Sequence, residues 1–186
     1  MSTQNSLSNT VEETQTQLDT DTENTNEGGG SKDETETLVI EEYTSFDDMD
    51  LKVSLLRGIY AYGFEKPSPI QSKAIVPIIS GRDTIGQAQS GTGKTGTFLI
   101  SALQRMDESL KKPQILVLSP TRELSQQIHN VLTSLSQFMK IESMLLIGGG
   151  SRYDDIRTLE ENTMQFLVGT PGRVFDMLKN LSIQSK

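Results

Sequence analysis

The stretch Ala88-Gln89-Ser90-Gly91-Thr92-Gly93-Lys94-Thr95 decides the fold class of this chain. Small residues let backbone N–H groups wrap an anion, and the N-terminus of a following helix favours negative charge. Lys94 is expected to neutralise the phosphates of a nucleotide, and the Thr95 hydroxyl is expected to ligate Mg²⁺. We interpret the stretch as a P-loop whose eight residues bind the nucleotide, with Ala88 where the general pattern often has glycine.

The segments on either side favour a P-loop over the alternative, a flexible glycine-rich loop with a solvated lysine. A buried strand is predicted at 83–88, directly before the loop. Apolar residues at helical spacing from Leu99 to Leu110 predict a helix after it. Strand, loop and helix in this order are the context that the motif requires.

Strands and helices alternate along the rest of the chain. Buried strands are predicted at 114–119, 143–147 and 165–169. Helical spacing lies between them at 124–139 and, more weakly, near 153–160. The expected fold is therefore α/β, a mainly parallel sheet with helices on both faces and with ligands bound beyond the carboxyl ends of the strands.

Two helices are predicted before the P-loop. The first spans about 50–61, with Asp47, Asp48 and Asp50 as possible N-terminal caps. The second begins near Pro69 and ends before Gly81.

The stretch Gly63-Phe64-Glu65-Lys66-Pro67-Ser68-Pro69-Ile70-Gln71, with the isolated Phe46 upstream, is the second candidate site. By itself it is compatible with a turn that leads into a helix, with Gln71 as a surface amide. With the P-loop downstream, it resembles the Q motif of the DEAD-box RNA helicases. The resemblance implies that the Gln71 amide reads the adenine edge, that Phe46 stacks on the base, and that the nucleotide is ATP.

Three further elements occur in the order of that family: Pro120-Thr121-Arg122 resembles motif Ia, Gly148-Gly149 the glycine pair, and Thr170-Pro171-Gly172-Arg173 motif Ib. The resemblance covers residues 44–180 and is strongest to the initiation factor 4A group. It implies that these residues bind RNA through the sugar-phosphate backbone, without sequence preference and in a salt-sensitive way. Without it, Arg122 and Arg173 are more simply interpreted as arginines near helix N-termini.

The N-terminal part of the chain has a different composition. Residues 1–45 hold eleven Asp or Glu residues against the single Lys32, which leaves fourteen acidic and sixteen basic residues for the rest. The scarcity of apolar residues predicts a disordered acidic tail over residues 1–43. Its simplest interpretation is a solvated extension, and a partner-binding arm or an electrostatic competitor for a basic surface is the alternative.

The composition also excludes several kinds of site. The chain has no cysteine and a single histidine, His129, which excludes disulfides, thiolate metal sites and histidine-rich metal sites. His129 is expected to face solvent. Neither a membrane-spanning apolar window nor a signal peptide is found, so the expected chain is soluble and cytoplasmic, with the nucleus as the alternative.

The sequence departs from the family after motif Ib. The Asp-Glu-Ala-Asp motif, expected about 20 residues beyond it, does not occur in the chain. We therefore expect a Q-motif region at 44–72 and, at 73–186, an incomplete RecA-like domain that lacks the strands beside the P-loop strand. In the absence of this motif, Asp154, Asp155 and Asp176 are the remaining candidates for a catalytic carboxylate. Gly96, where relatives usually have alanine, is expected to weaken its helix by about 0.5–1 kcal/mol.

The resemblance implies an ATP-dependent RNA helicase, in which ATP hydrolysis drives local RNA unwinding. Translation-initiation or RNA-processing proteins are the expected partners. The chain by itself is expected to be inactive, because no Asp-Glu-Ala-Asp motif follows motif Ib to orient the attacking water. The alternative is a non-catalytic module that binds nucleotide or RNA, or that competes with a full-length relative for partners.

Overall fold

The computed structural model describes residues 41–179, so that the predicted disordered tail lies almost entirely outside the described residues. Residues 41–179 belong to one compact unit. Its elements, in chain order, are a short 3₁₀-helix Phe46–Met49, α1 Val53–Ala61, α2 Pro69–Ile79, α3 Lys94–Arg105, β1 Ile115–Leu118, α4 Arg122–Leu135, β2 Ser143–Leu146, α5 Arg152–Glu161, β3 Phe166–Gly169 and α6 Pro171–Lys179.

Three parallel strands form the sheet, in the order β1-β3-β2. Phe166 at the start of β3 lies opposite Ile115 of β1 and Ser143 of β2. In this register all three strands end at the same edge of the sheet. The segments that follow the strands, which carry the candidate RNA motifs, are therefore brought together there.

The two faces of the sheet belong to separate hydrophobic clusters. Phe166 and Val168 of β3 are part of the larger cluster, which α1, α2, α3 and α4 also supply. Leu167 packs instead with Leu146 of β2 and Val174 of α6. Because successive strand residues point to opposite faces, helices cover both sides of β3. The predicted α/β class with a parallel sheet is confirmed.

The strand predicted at 83–88 is not present. The segment 82–89 has no regular secondary structure, and Ile85 within it is fully exposed. A strand needs a neighbour for its backbone N–H and C=O groups. Among residues 41–179, no strand pairs with the edge of β1 away from β3, and Leu116 and Leu118 on β1 are 45% and 54% exposed. The segment 83–88 therefore does not form a strand, because no partner strand lies beside it within the described residues.

Several element boundaries also differ from the predictions. Ser45 caps the 3₁₀-helix by accepting a hydrogen bond from the Asp47 N–H at 3.2 Å. Helix α1 has Lys52 at its N-cap position and no side-chain capping bond, so the predicted aspartate caps of α1 are wrong. Asp50 has a φ of 51° and ends that short helix, and α1 begins only at Val53. Helix α6 was not among the predicted helices. No helix within residues 41–179 is long and apolar enough to cross a bilayer.

Helices α1 and α4 approach closely at Gly58. A Cβ built on Gly58 would lie 1.9 Å from the carbonyl oxygen of Leu135, the last residue of α4. A Cβ built on Gly172 in α6 would meet no atom within 4 Å. The two glycines therefore form a matched pair of positions, one closed and one open to a methyl group.

We expect Gly58→Ala to destabilise the domain by about 1–3 kcal/mol, because the backbone of α4 must move to admit the methyl group. Gly172→Ala should be neutral or should stabilise by up to about 1 kcal/mol through helix propensity. Urea denaturation followed by far-UV circular dichroism measures both values. Equal stability of the two variants would contradict the close approach of α1 and α4.

Candidate functional site

The P-loop forms a turn that leads directly into α3. Gly91 and Gly93 have φ values of 79° and 98°, which L side chains rarely adopt. Helix α3 begins at Lys94, and the first N–H groups of a helix have no partner within it. The glycines and the start of α3 therefore form a cradle that suits an anion.

The Lys94 ammonium lies over its own loop. Its Nζ donates a hydrogen bond to the carbonyl oxygen of Ala88 at 2.5 Å and another to that of Gln89. The Thr92 hydroxyl donates to the same Gln89 carbonyl at 2.8 Å. These bonds hold a positive charge at the cradle before any ligand is present.

A cavity of about 840 Å³ runs from the P-loop to the end of β1. Its walls include Lys94 and Thr95 on one side and Ser119 and Pro120 on the other. The cavity extends along the open edge of β1. A second cavity, of about 710 Å³, is lined by the segment 82–88 and by α2.

Gln71 joins the Q-motif region to the P-loop. Its side chain is only 2% exposed, which excludes the alternative of a surface amide. Its Oε1 accepts a hydrogen bond from the Ser68 N–H at 2.8 Å, and its Nε2 donates to the carbonyl oxygen of Gly93 at 3.3 Å. The amide thus fastens the first turn of α2 to the P-loop.

Phe46 does not lie at the cavity wall. Its ring is fully buried and stacks on Phe64 with a centroid distance of 6.4 Å. The aromatic residues that line the cavity include Tyr62 and Phe64. The structure therefore places Phe46 in the main hydrophobic cluster, where its ring contacts Tyr60 and Phe64, and not at the wall of this cavity. Tyr62 and Phe64 were not identified from the sequence as cavity-lining residues, although both directly flank Gly63 of the Q motif.

The motif Ia and glycine-pair residues meet at the carboxyl edge of the sheet. Thr121 caps α4 by accepting a hydrogen bond from the Leu124 N–H at 3.2 Å. A Cβ built on Gly148 would lie 2.9 Å from Arg122 Nη2, and one built on Gly149 would lie 3.1 Å from Arg122 Nη1. The guanidinium of exposed Arg122 therefore lies against the glycine pair, and it makes no ion pair within residues 41–179.

The motif Ib residues open α6. The Thr170 N–H donates to the carbonyl oxygen of Leu146 at 3.0 Å, and the Thr170 carbonyl accepts from the Val174 N–H at 3.1 Å. Pro171 and Gly172 form the exposed first turn of α6, and Pro120 of motif Ia is exposed as well. All three motifs thus reach one edge of the sheet.

Arg173 is paired, and its side chain is only 9% exposed. Its Nη1 lies 2.5 Å from Asp155 Oδ2, and its Nη2 donates to the carbonyl oxygen of Gly150 at 2.9 Å. Burial raises the pKa of the Asp155 carboxyl, and the Arg173 guanidinium acts in the opposite direction. Asp176, another candidate carboxylate, lies 2.7 Å from Arg152 Nε. The structure therefore uses both carboxylates to join α5 to α6.

His129 is half-buried, so the prediction that it faces solvent is wrong. Its Nε2 lies 3.2 Å from the hydroxyl of Ser143, the first residue of β2. Burial lowers the pKa of His129 because the charged imidazolium loses hydration. His129 is partly buried because α4 packs against β2.

The residues at the cavity fit a phosphate better than they fit a metal ion alone. The described residues contain no group of three or more His, Asp or Glu side chains that could hold a metal. The Thr95 hydroxyl at the cavity wall offers one oxygen ligand. Mg²⁺ commonly keeps waters and takes further ligands from nucleotide phosphates, so one protein ligand fits a metal that arrives with a nucleotide.

Comparison with known proteins identifies the family. The family described as DEAD/DEAH box helicase matches residues 68–185. The chain belongs to this family. It is 57% identical over 139 residues to the ATP-dependent RNA helicase eIF4A of Yarrowia lipolytica and 58% identical over 139 residues to that of Neurospora crassa. Each alignment covers 75% of this chain and 35% of the relative, so the chain spans about a third of the length of these curated relatives.

Solved DEAD-box structures share the fold. Saccharomyces cerevisiae Dbp5 bound to RNA and ADP BeF3 matches with a TM-score of 0.69 at 37% identity, over 77% of this chain and 36% of that one. A DEAD box protein from the hyperthermophile Methanococcus jannaschii matches with a TM-score of 0.71 at 32% identity, over 77% and 39% of the two chains. The expected RecA-like fold and the resemblance to DEAD-box helicases are confirmed.

Gly96 in α3 makes room for Gln71. A Cβ built on Gly96 would lie 2.7 Å from Gln71 Nε2 and 3.0 Å from Phe64 Cε2. Glycine therefore does more at this position than weaken the helix. A Cβ built on Gly86 would meet only a side-chain carbon of Ile70, at the ordinary distance of 3.7 Å.

We expect the effect of Gly96→Ala on stability to depend on Gln71. In the Gln71→Ala background only the contact with the Phe64 ring remains, so the substitution should stabilise the domain by up to about 0.5–1 kcal/mol, as helix propensity predicts. In the wild-type background that gain should be cancelled, because the methyl group displaces the Gln71 amide from Gly93. A double-mutant cycle by thermal unfolding measures the coupling. Gly86→Ala is the control, and additive effects of Gly96→Ala and Gln71→Ala would contradict the contact.

Proposed function

We propose that this chain binds the phosphates of ATP at the P-loop and an RNA backbone at the adjacent sheet edge. We further propose that the longer protein is an ATP-dependent RNA helicase, which couples ATP hydrolysis to local RNA unwinding. The observation that carries the proposal is the 840 Å³ cavity, which Lys94 and Thr95 share with Ser119 and Pro120 at the start of motif Ia. A nucleotide in this cavity would touch the segment that leads to Arg122.

At the nucleotide, the loop N–H groups and the Lys94 ammonium would hold the phosphates. The Thr95 hydroxyl would contribute a ligand to Mg²⁺, which when bound neutralises negative charge on the phosphates. We propose that Gln71 reads the adenine edge, since it lies beside Gly93 and can retain one amide hydrogen for a base. The chain contains no Asp-Glu-Ala-Asp sequence, so we propose nucleotide binding for these 186 residues and hydrolysis for the longer protein.

At the RNA, Arg122, the glycine pair and the exposed N-terminus of α6 would contact phosphates without reading bases. The support is the convergence of the three motifs at one edge and the RNA that is bound in the related Dbp5 structure. Because relatives are named eIF4A and another Dbp5 structure contains Gle1, we propose translation-initiation or RNA-processing proteins as partners. We propose a cytoplasmic location, with the nucleus as the alternative.

Lys94→Ala is expected to weaken ATP binding by at least about tenfold, because a charge-assisted bond to phosphate is lost. The melting temperature of the nucleotide-free protein should change little, since the hydrogen bonds of Lys94 Nζ go to carbonyls of its own loop. Isothermal titration calorimetry with MgATP and thermal unfolding without nucleotide measure the two effects. Lys112→Ala, at an exposed position, is the charge-matched control. Unchanged affinity in Lys94→Ala would contradict the proposed phosphate site.

Gln71→Ala tests the choice of base. Loss of the bond to Gly93 should weaken ATP and GTP alike, and loss of the adenine contact should weaken ATP by about a further tenfold. Competition of each nucleotide against a fluorescent ADP analogue measures the ratio. If the ratio of ATP to GTP affinity is unchanged, Gln71 only supports the loop and does not read adenine.

A further inference from the structure

The loop Gly148–Gly150 contacts two arginines whose surroundings are opposite. Arg122, from the start of α4, is exposed and lies against Gly148 and Gly149. Arg173, from α6, donates a hydrogen bond to the carbonyl oxygen of Gly150, and its side chain is only 9% exposed. The family resemblance implies that both arginines bind RNA, but the two side chains differ in exposure and in hydrogen bonding.

The environment of Arg173 is that of a paired charge. Asp155 supplies a carboxylate oxygen at 2.5 Å and is itself only 21% exposed. A phosphate that recruited Arg173 would have to replace this carboxylate and would leave Asp155 charged and partly buried. The raised pKa of the Asp155 carboxyl has the same origin, since burial disfavours its charge.

The loop itself needs support from outside. Gly149 has a φ of 106°, and Gly148 and Gly150 form an isolated β-bridge, so the segment is a tight turn that belongs to neither β2 nor α5. Arg173 is the side chain that holds the Gly150 carbonyl. Because the peptide unit is planar, fixing this carbonyl also fixes the orientation of the Ser151 N–H.

We infer that Arg173 is a positioning residue: with Asp155 as its counter-ion it holds the Gly148–Gly150 turn in the conformation that binds RNA, and it does not itself contact a phosphate. This inference rests on the proposed RNA-binding function. It assigns the phosphate contact at this loop to Arg122 and to backbone N–H groups. Asp155 is then the counter-ion that holds Arg173 in place, and not a catalytic carboxylate.

The salt dependence of RNA affinity separates the two roles. A side chain that neutralises a phosphate releases a condensed counterion, which contributes about 0.7 to the slope of log affinity against log salt for a single strand. A side chain that only positions the loop contributes to affinity but not to this slope. The same measurement on Arg122 and Arg173 variants therefore distinguishes contact from positioning.

The experiment titrates a fluorescein-labelled ten-nucleotide oligouridylate with the full 186-residue chain between about 50 and 200 mM KCl. Arg122→Gln should weaken binding and reduce the slope by about 0.7. Arg173→Gln should weaken binding about tenfold with the slope unchanged. Asp155→Asn should give a similar loss, and the double variant should lose no more than either single variant, because both residues act through one ion pair.

Arg152→Gln is the matched control. It removes the other ion pair between α5 and α6, that of Arg152 with Asp176, and Arg152 donates no hydrogen bond to the glycine loop within the described residues. Its RNA affinity should stay within about twofold of wild type. A comparable loss in Arg152→Gln would mean that any loosening of α5 against α6 suffices, and would overturn the specific role of Arg173.

Two results would overturn the inference directly. One is a slope in Arg173→Gln that falls as much as in Arg122→Gln. The other is tighter RNA binding by Asp155→Asn, which would show that the carboxylate competes with phosphate for Arg173.

Hydrogen exchange of the amides of residues 148–151, without RNA, gives a readout that does not depend on the proposed function. Exchange should be faster in Arg173→Gln and Asp155→Asn and unchanged in Arg122→Gln. Unchanged exchange in the first two variants would refute the positioning role. A wild-type chain that exchanges as expected but does not bind the oligonucleotide would refute the proposed RNA binding alone.

Discussion

The backbone pairing of β3 is the constraint on which the rest of the structure depends. All four residues of β3 are buried, and the strand pairs in parallel with β1 on one side and β2 on the other. Parallel strands in register must end at the same edge. The loops after β1, β2 and β3 therefore lie close together regardless of their local conformational preferences. Their proximity brings motif Ia, the glycine pair and motif Ib, which lie far apart in the chain, to the sheet edge proposed to bind RNA.

The open edge of β1 has the opposite consequence. Without a partner strand among residues 41–179, the segment before the P-loop remains irregular, and the cavity between the P-loop and β1 is wide. The P-loop nevertheless keeps its geometry, because α3 follows it directly and Gln71 fastens it to α2. The phosphate cradle thus depends on local helix geometry and one buried amide more than on the sheet.

Burial decides what the polar residues of the site can do. Arg122 and Arg173 occupy equivalent places in their motifs, each near the start of a helix after a strand. Of these two, in the part of the chain that the structure describes, Arg173 alone pairs with a carboxylate and loses its exposure. Likewise Phe46 was expected at the base, but it is enclosed by the core, and Phe64 lies at the cavity wall instead. Equal motifs therefore do not imply equal roles.

The sequence by itself determined the α/β class, the P-loop, the approximate positions of α1 to α5 and the order of the family motifs, because these depend on local periodicity and on residues close together in the chain. Only the tertiary structure decided that the segment 83–88 is not a strand, that His129 is half-buried and that Arg173 is paired with Asp155. Each of these outcomes depends on a neighbour distant in sequence: a strand partner for 83–88, the packing of α4 on β2, and a carboxylate on α5. Hydrogen bonding and desolvation act through such neighbours, and no local pattern encodes their distance.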